Sequence, residues 1–227
     1  MTKWAYSMIP NQLFSKLKTN EEAIELLHNY TNILVTRHPF ERLVSAYHNK
    51  LSDQANHPYY RNTVGKQIAK DQASLHIHGL SINNVRAMTP EKLQTLPNFR
   101  NLNEKQKKEV LEYSYVLKTG EVSFSQFVRF LTKYSKKMNL KDMDIHWRPQ
   151  THMCIHCHVN YTYIIRFDNL VKESNEVLGW IQQEQTSFNR TLVSISGNIT
   201  QSVKDLTTRS YFSELDESDV EILRKIY

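Results

Sequence analysis

The sequence predicts an α/β fold built around a parallel sheet, and two observations predict it. Short β-favouring runs at 33–36 and 161–166 are interspersed with longer segments whose apolar residues recur at helical spacing, joined by short connections. The composition adds that this is one globular domain over residues 1–227: 40% of the residues are hydrophobic, with only 5 Gly and 6 Pro. No internal repeat and no domain boundary is visible.

In chain order, Asn20 followed by Glu21, Glu22, Ala23, Ile24, Leu26 and Leu27 reads as a capped helix with acidic residues in its first turn. The apolar run Ile33-Leu34-Val35-Thr36 suits a buried strand. Pro39 then suits the first turn of a helix, where its missing N–H costs nothing. Phe40, Leu43, Val44 and Tyr47 fall at i, i+3, i+4 and i+7 and form one core-facing stripe. Arg37 is left at the carboxyl end of the strand beside a helix N-terminus, whose free N–H groups and dipole favour an anion such as phosphate. The same spacing also suits a structural pair between Arg37 and Glu41.

The stretch 52–100 is polar, carries His57, His76 and His78, and shows no sustained period, so it reads as irregular connections with short helices. Segments 103–116 and 123–137 read as helices, the second burying Phe124, Phe127, Val128 and Leu131. Residues 161–166 alternate aromatic and β-branched side chains as a strand does, and 169–182 read as helix. The segment 186–208, rich in Ser, Thr and Asn, reads as a long loop that includes Thr207 and Thr208 and runs up to Arg209.

The net charge of +6, from 29 basic and 23 acidic side chains, favours anionic partners: a polyanionic glycan, nucleic acid or a membrane surface. No stretch approaches the length of a transmembrane helix, and the N-terminus lacks the apolar core of a signal peptide. Four N-x-[ST] sequons, at Asn29, Asn160, Asn189 and Asn198, hint at a glycosylated luminal protein. Cys154 and Cys157 sit among His146, His152, His156 and His158, a crowd compatible with zinc, but the helix-borne H-x3-5-H partner of a zinc finger is absent.

The segment RHPFERLVSAYHNKL at 37–51 resembles the 3′-phosphate-binding motif of the Golgi carbohydrate sulfotransferases, usually R-D-P-F-E-R-L-V-S-A-Y. That group includes the chondroitin and dermatan 4-O-sulfotransferases and the glucuronyl 3-O-sulfotransferases. Further segments follow the family order: VSFSQFVRFL from Val122, DIHWRPQTHMCIHCHVNYTYIIRFDNL from Asp144, NEVLGWI from Asn175, and Arg209-Ser210-Tyr211-Phe212 before a final helix. Two positions depart from the pattern: His38 replaces the usual Asp, and His48 stands where Arg is frequent.

The resemblance implies a P-loop-like α/β fold with helices flanking the sheet, and 3′-phosphoadenosine 5′-phosphosulfate (PAPS) as sulfate donor. Arg37 and Ser45 would hold its 3′-phosphate, while Thr2 and Trp4 match the end of the family's 5′-phosphosulfate loop. The rest of that loop, with its Lys, has no counterpart here, so the chain reads as truncated at its N-terminus. His146, in an H-W-x-P block, is the candidate catalytic base because imidazole titrates near neutral pH. The implied acceptor is an anionic, chondroitin-like glycan rather than nucleic acid, and no metal is implied. The implied setting is the Golgi lumen of a type II membrane protein, with the anchor outside this chain and the Cys pair oxidised or structural. Two rivals stand beside the enzyme: a non-catalytic member that binds anionic glycan, and a zinc-stabilised nucleic-acid-binding module.

Overall fold

The computed structural model describes residues 19–227 apart from 54, 56, 137–138, 155–158 and 185–204. Its elements run α1 (Asn20–Asn29), β1 (Ile33–Thr36), α2 (Pro39–Lys50), a helical turn at Pro58–Tyr60 that widens into a π-helical turn at Arg61–Gly65, and α3 (Lys66–His76). Three short helices follow, α4 (Ile82–Ala87), α5 (Pro90–Thr95) and α6 (Pro97–Arg100), then the longer α7 (Glu104–Thr119) and α8 (Phe124–Ser135). The rest comprises α9 (Gln150–Met153), β2 (Tyr163–Arg166), α10 (Leu170–Glu184), α11 (Asp205–Ser213) and α12 (Glu217–Ile226), with single 3-10 turns at Leu140–Asp142 and Phe167–Asn169. The architecture is helix-rich with a small parallel sheet, compatible with the α/β expectation.

Packing divides the chain into two compact units. The first comprises the described residues of 1–39 and 148–202, and the second those of 40–147 and 203–227. In the first, β1 and β2 pair in parallel with Ile33 opposite Tyr163 and Thr36 opposite Arg166. Asn32 fixes the start of the pair: its carbonyl accepts the Thr162 N–H at 2.8 Å, and its side-chain amide donates to the carbonyls of Leu27 and Asn160. Helix α10 packs on β2. Glu173 on that helix accepts the Arg166 backbone N–H at 2.7 Å and the Asn169 amide at 2.9 Å, and these bonds hold its carboxyl below the usual carboxylate range.

The second unit contains the hydrophobic core. The α2 stripe predicted from spacing is its first layer, with Leu43, Val44 and Tyr47 buried and Phe40 stacked on Phe212 at 4.5 Å between ring centroids. Phe124, Phe127, Val128 and Leu131 of α8 are all buried, as their period requires. Helix α7 packs against α3 and α4, and α8 against α3 and α12. The α7 boundaries follow from local chemistry: Asn103 and Gln106 form a capping box, and Gly120 ends the helix with φ of 75°.

Three expectations are corrected. The cap of α1 is Thr19, not Asn20; its hydroxyl accepts the Glu22 N–H while Glu22 reaches back to the Thr19 N–H, a reciprocal pairing that starts the helix one residue earlier. The stretch 52–100 holds an eleven-residue helix, α3, whose buried Ile68 and Ala69 face the core. The π-helical turn before it shifts the helical phase, so no single period spans the segment. Thr207, Thr208 and Arg209 lie in α11 rather than in a loop, because Tyr211 and Phe212 on the same helix anchor it in an aromatic cluster with Tyr47 and Phe124.

Candidate functional site

The strand-to-helix junction expected to hold an anion exists. Arg37 immediately follows β1, and Pro39 opens α2. Within the first unit the Arg37 guanidinium lies over the Phe167 ring, 4.7 Å from its centroid, and its Nε and Nη2 atoms are buried. The backbone there is held by a residue that the motif comparison missed. Gln150 accepts the Arg37 N–H on its side-chain oxygen at 3.3 Å and donates from Nε2 to the Val35 carbonyl at 2.9 Å. One amide therefore satisfies the last groups of the strand edge just where the chain turns into α2. The available signal was its position directly after His146-Trp147-Arg148-Pro149, at the first position of α9.

Ser45 lies in the second unit, half-buried on α2 between the buried Val44 and Ala46. Arg42 on the same helix donates to the Ile145 carbonyl at 2.7 Å. His48 is paired with the Tyr211 hydroxyl at 2.9 Å. Thr2 and Trp4 lie outside the described residues.

His146 is the centre of a polar cluster in the second unit. Asp144 Oδ1 accepts the His146 backbone N–H at 2.9 Å and lies 2.7 Å from its Nδ1. The Tyr60 hydroxyl donates to Asp144 Oδ2 at 3.2 Å and lies 3.0 Å from His146 Nδ1. Partial burial, with the Asp144 carboxylate beside it, pushes the Tyr60 phenol up to about 12, so it remains a donor at neutral pH. Trp147, only 3% exposed, closes the other side and packs edge-on to Tyr60 and Phe127. A cavity of about 380 Å³ reaches this cluster, lined by Tyr59, Thr63, Gln67, Met143, Asp144 and Trp147 among others. Aromatic faces with a few convergent polar groups are the usual make-up of a small-ligand site.

Other charged features are less selective. The groove of about 830 Å³ along α7 carries Arg100, Lys107 and Lys108 together with Glu104 and Glu112, and Lys107 already pairs with Glu104 at 2.8 Å. Among the described residues no group of three or more His, Cys, Asp or Glu side chains could hold a metal ion. Cys154 is half-buried, with its carbonyl accepting the Tyr161 hydroxyl at 2.7 Å, while His156, Cys157 and His158 lie outside the described residues. Among the described residues no helix is long and apolar enough to cross a membrane.

Comparison with known proteins extends beyond these motifs. The chain is 27% identical over 159 residues to Carbohydrate sulfotransferase 8 of Homo sapiens, covering 69% of this chain and 27% of that protein. To Carbohydrate sulfotransferase 9 of Homo sapiens it is 26% identical over 157 residues, covering 68% and 26%. To Carbohydrate sulfotransferase 11 of Rattus norvegicus it is 25% identical over 152 residues, covering 67% and 33%. The matched region thus spans about a quarter to a third of the length of these relatives. No solved structure matches the chain significantly. The match to the Sulfotransferase family runs over residues 4–227, taking in the Arg37 junction, the His146 cluster and both units, so the chain belongs to the Sulfotransferase family.

Proposed function

We propose that this chain is a carbohydrate O-sulfotransferase domain over residues 1–227, with a P-loop-like fold, that moves a sulfuryl group from PAPS to a hydroxyl of a glycosaminoglycan-like glycan. The observation that carries the reading is the R-H-P-F-E-R-L-V-S segment, which folds as a strand end followed by a helix with the Arg37 guanidinium held over Phe167. A fixed, always-charged fork suits a phosphate. In this reading Arg37 and Ser45 bind the donor's 3′-phosphate, and Thr2 and Trp4 serve its phosphosulfate end. The family match supports the reaction class, and the relatives' names support a carbohydrate acceptor.

The acceptor hydroxyl oxygen attacks sulfur as the bond from sulfur to the bridging phosphosulfate oxygen breaks. Adenosine 3′,5′-bisphosphate (PAP) leaves, and the hydroxyl proton passes to His146. Positioning and charge stabilisation do most of this work, with the base adding to them. The aromatic and polar walls of the cavity beside Asp144 suit a sugar ring, and the net charge of +6 suits an anionic chain such as chondroitin. Residence in the Golgi lumen belongs to the same reading.

Titration with PAP tests it. Loss of a charge-assisted contact costs about 1.5 to 3 kcal/mol, so Arg37→Ala is expected to weaken PAP binding about tenfold to hundredfold. Equal affinities for the variant and the parent would remove Arg37 from the donor site.

A further inference from the structure

We propose that Asp144 and Tyr60 are positioning residues that hold His146 as the Nδ1–H tautomer, leaving the Nε2 lone pair to receive the acceptor's proton. The inference rests on the reading of His146 as the base and adds how that base is set.

The hydrogen bonds call for a proton on Nδ1. Asp144 is acceptor-only when ionised, and it meets three donors: the His146 backbone N–H at 2.9 Å, the Tyr60 hydroxyl at 3.2 Å and the His146 Nδ1 position at 2.7 Å. The third contact is a hydrogen bond only if Nδ1 carries the proton. The 3.0 Å approach of the Tyr60 hydroxyl to Nδ1 is compatible with that proton, because the phenol oxygen can accept from Nδ1–H while its own O–H is directed to the carboxylate. A neutral imidazole protonated on Nδ1 has its lone pair on Nε2.

The surrounding chain is fixed on both sides of the histidine. The Ile145 carbonyl accepts from Arg42, the Asp144 carbonyl accepts the Trp147 N–H at 3.1 Å, and the Trp147 carbonyl accepts the Tyr227 hydroxyl. Tyr60 is delivered at the entry to the π-helical turn, which Arg61 ties down through a 3.1 Å ion pair with Glu121. Irregular turns of this type often occur where a side chain must be aimed at a site. A base held in one tautomer and orientation avoids reorganisation during transfer.

Nitrogen-15 NMR of the imidazole in the unmodified chain, with His146 assigned by comparison with His146→Ala, reads the tautomer directly. The expected spectrum at a pH where the ring is neutral shows a protonated Nδ1 and an unprotonated Nε2. The reverse tautomer, or a mixture like that of free histidine, overturns the proposal whatever the activity. Kinetics supply a second reading: Asp144→Asn is expected to lower kcat about a hundredfold. Unchanged kcat in Asp144→Asn beside a large loss in His146→Ala overturns the role of Asp144 and keeps His146 as base. Unchanged kcat in His146→Ala refutes the assignment of the base itself and, with it, the present inference.

Discussion

Gly65 and Gly120 face each other across a gap that admits no side chain. A Cβ on Gly65 would lie 2.0 Å from the Gly120 carbonyl oxygen, and one on Gly120 would lie 2.0 Å from the Arg61 carbonyl oxygen. The π-helical turn that presents Tyr60 therefore passes backbone-to-backbone against the C-terminal end of α7. Gly65→Ala must push two backbones apart, and Gly120→Ala adds the strain of a left-handed residue at φ of 75°. Each is expected to destabilise the chain by about 2 kcal/mol or more, measured by denaturant unfolding. Midpoints equal to that of the parent would show that the crossing relaxes at little cost.

Tyr47 gives a prediction about alkaline stability. It is 8% exposed and donates to the Val122 carbonyl at 2.9 Å, and burial, followed by the nearby Tyr211, Asp53 and Glu214, pushes its phenol from 10.0 up to about 12. The folded chain keeps this proton longer than the unfolded chain. Its contribution is thus fully present below pH 10, declines as the unfolded phenol ionises, and is lost by about pH 12. At about 1.4 kcal/mol per pH unit the loss is about 2 to 3 kcal/mol. Unfolding across that range should be flatter for Tyr47→Phe than for the parent; parallel curves would show that Tyr47 ionises normally in the fold.

The cysteine pair is expected to be a disulfide. Family resemblance and the missing zinc-finger frame support this over a metal site. Mass spectrometry of protein from a secretory host should find Cys154 and Cys157 oxidised to each other, and metal analysis should find no stoichiometric zinc. One tightly bound zinc per chain would reverse the assignment.

What was legible in the sequence was what depends on near neighbours. The β-favouring run at 33–36, Pro39 and the α2 stripe each carry their own period or stereochemistry and form the expected strand and helix. The strand is not buried as expected, however: Ile33 and Val35 are exposed and Leu34 and Thr36 half-buried, because what covers a strand is not set by its own residues. Helix α8 forms as expected, with its four predicted core residues buried. Other features depend on partners distant in sequence. Gln150 meets Arg37 from 113 residues away, and Tyr60 meets His146 from 86. The Gly65–Gly120 crossing likewise leaves no local pattern. The phase shift at Arg61–Gly65 hid α3, and the aromatic anchor at Tyr211 and Phe212 extends helix into residues whose composition reads as loop. His146 was singled out by its motif, whereas the carboxylate and phenol that hold it became visible only once the chain was folded.

The most direct measurement is transfer of radiolabelled sulfate from PAPS to a panel of desulfated and partly sulfated glycans, chondroitin among them, with the parent chain beside Arg37→Ala and His146→Ala. Label is expected on a glycan hydroxyl when the parent is extended upstream through the 5′-phosphosulfate loop, with a loss of about tenfold to hundredfold in Arg37→Ala and about a hundredfold in His146→Ala. Glycan binding with no transfer by the extended parent, or transfer that neither substitution diminishes, would contradict the proposed reaction.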